Sequence, residues 1–171
     1  GADDLAATDD DTLLRAGAVL LAHGDVDVAA RCFVALEGRE SVAGLSRLGL
    51  AWVSWAAGQA EAAAEGLRAA AELDPAVALV PAGTKLRAVR ARAGAIAVLA
   101  AEDDEGEHDV ERVVLPRPLL VDERSALAKA AERVVGLSHP AVAGYGALAL
   151  EPSGARLRRE PVPGKPLLAS I

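Results

Sequence analysis

One cysteine, no methionine and four aromatic side chains stand in a chain of 171 residues. The lone Cys32 excludes an internal disulfide framework and fits a reducing compartment. Phe33, Trp52, Trp55 and Tyr145 are too few to build stacking platforms for bases. A net charge of -7 also repels a phosphate backbone, so no nucleic-acid partner is expected. Long apolar runs are missing too. The uncharged stretch near the centre, Ala93–Ala101, is far too short to span a bilayer, so no membrane partner is expected. The opening Gly-Ala-Asp-Asp-Leu is acidic, unlike the basic start of a secretory signal, and the cytoplasm is the expected location. The chain opens on Gly1 rather than methionine, which reads as a trimmed chain or a fragment of a larger protein.

Recognisable catalytic and metal-binding patterns are lacking as well. His23, His108 and His139 share no ligand spacing, so neither a metal nor a cofactor is expected. The acidic run Glu102–Asp109 lacks the alternating carboxylates and closing glutamate of a calcium loop, and reads as a solvated hairpin tip around Gly106. Gly164-Lys165 leads into Pro166 with no glycine-rich loop before it, which excludes a P-loop. Cys32, between Ala29 and Phe33 on a helix, reads as a small core residue rather than a reactive thiol. No enzyme is expected.

What is present above all is alanine, in a chain that is 52% apolar and 25% charged. The core must therefore be built from small side chains plus Leu and Val. Arginine greatly outnumbers lysine, and with the alanine this suggests a GC-rich bacterial genome. Charge divides the chain: residues 1–76 carry -8 and residues 77–171 carry +1. The apolar period changes at the same place, near Asp74-Pro75, and nearly all the prolines follow it. The expected fold class is α+β, with an N-terminal helical repeat over 1–76 and a small mixed domain over 77–171. That second domain combines antiparallel strands with one main helix.

In the first half, Leu13, Leu14, Gly17, Leu20 and Leu21 make a helical stripe that predicts a helix over 12–23, capped by Asp11 or Thr12. Further helices are predicted over 26–37, over 42–57, and from Gly58-Gln59 to Leu73, with Asp74-Pro75 closing the last. The spacing repeats at one constant offset: Gly24 to Gly58, Gly17 to Ala51, Ala29 to Ala63 and Phe33 to Leu67. This pattern resembles the tetratricopeptide repeat over residues 10–75, in two helix-turn-helix pairs. Ser41 stands where that repeat closes on proline, and Ser54 where an aromatic is usual. The resemblance implies that the first helix of each pair lines a concave, partner-binding face. Here that face carries Leu14, Leu21, Leu45, Leu48, Trp52 and Trp55 as an apolar groove for a peptide or partner helix. The competing reading buries both tryptophans against the second domain.

In the second half, strands are predicted over 84–92, 96–101 and 110–115, a helix over 122–137, then strands over 142–150 and 155–160. With Leu137-Ser-His-Pro-Ala-Val142 after the helix and Glu160-Pro-Val-Pro-Gly-Lys-Pro-Leu167 as a hinge, residues 80–168 resemble a degenerate amino-terminal lobe of a Ser/Thr protein kinase. Other small α+β units share this element order. The phosphate-covering loop of that family aligns with Arg92–Val98, where only Gly94 remains, and its lysine position falls on Val113 or Arg112. Its glutamate position falls on Ala130, near Glu132. No base or metal-binding aspartate motif is present, so phosphoryl transfer has no machinery. The expected function is a non-catalytic protein–protein interaction or regulatory scaffold module. The alternative is a fragment of a larger kinase or pseudokinase signalling protein. A protein partner is expected, and a homo-oligomer is compatible with the sequence.

Overall fold

A computed structural model describes residues 7–93, 96–114, 120–133, 135, 145–151 and 154–159. Among the described residues the first half holds four α-helices: α1 (Asp10–Ala22), α2 (Val26–Val34), α3 (Ala43–Ala56) and α4 (Ala60–Leu73). A 3-10 turn, Pro75–Val77, leads into β1 (Lys85–Ala93), β2 (Ile96–Asp103) and β3 (Gly106–Val114). Helix α5 (Val121–Glu132) and strands β4 (Tyr145–Glu151) and β5 (Gly154–Arg159) complete an α+β fold. No described helix is long and apolar enough to cross a membrane.

Local chemistry sets the helix ends. Asp9, not Asp11 or Thr12, caps α1: its Oδ1 accepts from the Thr12 backbone N–H at 2.9 Å, and its Oδ2 from the Thr12 hydroxyl at 2.7 Å. The chain turns between α1 and α2 at Gly24 (φ 86°) and between α3 and α4 at Gly58 (φ 78°), two left-handed positions one repeat apart. Helix α2 ends at Val34, short of the expected Glu37. There the N–H groups of Leu36 and Glu37 donate to the carbonyls of Phe33 and Val34 at 3.0 Å each, tightening the last turn.

The helices meet through their smallest residues. Phe33, 0% exposed, lies between α1 and α3: a Cβ on Gly17 would fall 2.7 Å from its ring, and one on Gly49 2.5 Å. Behind it the Ser46 hydroxyl donates to the Phe33 carbonyl at 2.8 Å, satisfying a buried acceptor. In the second pair Ala51 of α3 fills the corresponding close approach to Gly66 of α4.

The five strands form one antiparallel sheet ordered β1-β2-β3-β5-β4. A short turn, Asp104-Glu105, joins β2 to β3, and Gly106 beyond it takes φ 109°. The run Glu102–Asp109 is thus mostly strand, and only its middle is a tip. Alternation sorts the faces. Leu86, Val89, Ala97, Leu99, Ala101 and Val110 turn toward the helices and join Leu13, Phe33, Leu48, Trp52 and Leu67 in one continuous apolar core. The opposite face carries ion pairs between Arg87 and Glu102 and between Arg90 and Glu107. The sequence division near Asp74 marks the end of α4, while the core runs across it.

Candidate functional site

The six side chains expected to line a groove are largely interior. Leu14, Leu21, Leu48 and Trp52 are buried, Trp52 at 0% exposure, while Leu45 and Trp55 are half-buried against the same core. The groove is therefore filled by the protein itself, because a chain with two tryptophans and one phenylalanine needs its large side chains for the core. The reading that buries the tryptophans against the second half fits Trp52. Arg92 of β1 lies over its ring, 4.9 Å from guanidinium carbon to ring centroid. Arg68 of α4 adds a second tie, donating to the Leu86 carbonyl at 3.4 Å.

That contact has an electrostatic cost. Burial pulls the Arg92 guanidinium below its ordinary pKa, and its Nε, like the Trp52 Nε1, is buried with no hydrogen-bond acceptor among the described residues. Cys32 is buried, and burial raises its thiol pKa while the nearby Arg31 charge opposes the rise, the reverse of what a nucleophile needs.

The two described histidines, His23 and His108, each place Nδ1 near a backbone carbonyl. His23 Nδ1 sits 2.8 Å from the Val19 carbonyl at the end of α1. His108 is not in a solvated turn: it is 6% exposed on the core-facing side of β3, opposite Ala101, with Asp103 3.7 Å away. Among the described residues no group of three or more His, Cys, Asp or Glu side chains converges on a metal position.

The kinase-like positions are distributed as follows. Arg112 is a core residue, 1% exposed, donating to the Leu79 carbonyl at 3.1 Å. Ala130 and Glu132 are exposed on α5, which ends at Glu132 rather than at the expected 137, and Val135 is exposed just past its end. Gly94, the His-Pro segment over 137–142 and the hinge-like 160–167 lie outside the described residues.

Two surface cavities stand out. One, of about 540 Å³, is open between the α2–α3 connection and the ends of α3 and α4; Glu37, Ala43, Arg47, Ala69, Glu72 and Leu73 line it. The second, of about 580 Å³, lies where the Pro75–Thr84 segment passes the sheet, with Arg156 of β5 in its wall. Sequence reasoning missed both. The first brings together Glu37 and Leu73, which no local period connects. No known protein family, curated protein or solved structure matches this chain.

Proposed function

We propose that this chain is a non-catalytic protein–protein interaction or regulatory scaffold module. The observation that supports it is the stacked pair of helical hairpins with an open cleft at one end. That cleft offers a partner apolar and charged groups together: Ala43, Ala69 and the 61%-exposed Leu73 beside Glu37, Arg47 and Glu72. Leu45 and Trp55 extend the half-buried apolar part of α3. The test is capture by a photocrosslinker placed at Leu73, in the native background and with Arg47→Glu. One protein captured in stoichiometric amount, and lost with Arg47→Glu, is the expected result. Capture that Arg47→Glu leaves unchanged overturns the reading.

A second reading is that the chain is part of a larger kinase or pseudokinase signalling protein, in the bacterial cytoplasm. It is supported by the order of three strands, α5 and two strands in a single antiparallel sheet. Reading the gene beyond Ile171 tests it: a catalytic-lobe sequence downstream supports this reading, and an immediate stop codon removes it.

A further inference from the structure

Three charged side chains line the open cleft of the helical hairpins without answering one another. Among the described residues, Glu37, Arg47 and Glu72 each lack an ion pair and a side-chain hydrogen bond. Elsewhere in the same half opposite charges do meet: Arg15 pairs with Asp11, and Arg39 with Asp10. For Glu72 the reason is local. Arg68, one turn before it, is drawn instead to the Leu86 carbonyl of β1, at 3.4 Å. Glu72 also stands in the last turn of α4, which carries no basic residue, at the end where the helix dipole already disfavours negative charge.

The apolar part of the cleft faces solvent as well. Leu73 ends α4 at 61% exposure, and the small side chains of Ala43 and Ala69 beside it leave a space of about 540 Å³ open. An exposed leucine rimmed by unpaired charges is the arrangement of a contact surface, with an apolar centre and a polar edge. The wider field has one sign, since residues 1–76 carry -8. A segment approaching this end meets a negative potential that draws in a basic partner and turns away an acidic one.

Resting on the interaction-module reading, we propose that this cleft docks a basic amphipathic segment of a partner protein. An aliphatic side chain of that segment covers Leu73 between Ala43 and Ala69. Two lysines or arginines answer Glu37 and Glu72, and one acidic residue answers Arg47. Each charge in the cleft then gains the partner that the fold withholds, and the cation beside Glu72 also meets the negative end of α4. A second copy of this chain is the poorer occupant, because two helical halves of -8 repel one another.

The experiment pans a random-peptide display library on the full chain and measures the enriched peptide, resynthesised with a fluorescent label, by anisotropy. Enrichment of sequences with basic residues on either side of a leucine or isoleucine is expected. The double variant Glu37→Gln, Glu72→Gln should weaken the peptide about fivefold, through the loss of two exposed ion pairs. The control pair, Glu61→Gln with Glu65→Gln, removes the same charge from exposed positions outside the cleft and should leave the affinity nearly unchanged. Three results overturn the proposal: no enrichment or enrichment of acidic peptides, an equal loss with the control pair, or self-association in sedimentation that the Glu37, Glu72 variant abolishes. Crosslinking from Leu73 separates this proposal from the broader reading. Capture through a segment without basic residues leaves the interaction module standing and removes the basic partner.

Discussion

Phe33 concentrates the structural demands of the helical half on one side chain. Its ring touches positions 17 and 49, and its carbonyl accepts from Ser46. Truncating it to alanine removes a fully buried aromatic, and an equilibrium denaturation series is expected to show a loss of about 3–5 kcal/mol. Gly49→Ala is expected to destabilise as well, through overlap with the ring rather than through a void.

At Asp10, hydrogen bonds from Arg39 and then Ser41 hold the carboxyl below the usual carboxylate range. A lowered folded-state pKa means that its stabilisation is present above the unfolded value near about 4 and is lost as pH falls through the folded one. The melting midpoint of Asp10→Asn should therefore lie below that of the native chain at neutral pH, and the two should converge in acid. A gap that persists well below pH ~3 would contradict this assignment.

Among the elements, helices were legible from pattern because their signals are local. Leucines three and four apart, and turn glycines one repeat apart, place α1 to α4 within a few residues of their observed ends. The strands were legible for the same reason, with β1 and β2 beginning at or next to the expected residue. Missed were the cap at Asp9 and the early start of β3 at Gly106. An acidic run looks like a loop until its neighbours pair with arginines across the sheet. The β2–β3 turn gives a direct check. Gly106 sits at φ 109°, where a side chain is strained, so Gly106→Ala is expected to cost about 1–2 kcal/mol in denaturant titration.

On the scale of the molecule, the core crosses the boundary that charge and composition draw near Asp74. Leu99 of β2 and Trp52 of α3 belong to one apolar cluster, joined further by Arg92 over Trp52 and Arg68 on the Leu86 carbonyl. The two halves should then unfold as a unit. Tryptophan fluorescence, which reports the helices, and circular dichroism are expected to give coincident transitions. Leu99→Ala, a truncation in the sheet, should shift both together by about 2–5 kcal/mol. A fluorescence transition unmoved by that substitution would mean that the halves are energetically separate.

The sequence by itself determined the α+β class, the order of the elements, the turns at Gly24 and Gly58 and the core placement of Cys32. Each of these follows from residues within a few turns of one another, whose side-chain period and backbone preference act before any distant contact forms. Tertiary structure alone decided which apolar side chains are hidden. Leu14, Leu48 and Trp52 look alike in pattern whether they line a groove or fill a core. Their burial depends on which elements pack over them, neighbouring helices and, for Trp52, Arg92 of β1 as well. The cleft charges belong to the same class of fact. Glu37, Arg47 and Glu72 are apart in the chain and line one cleft only once the helices stack, which no local period records.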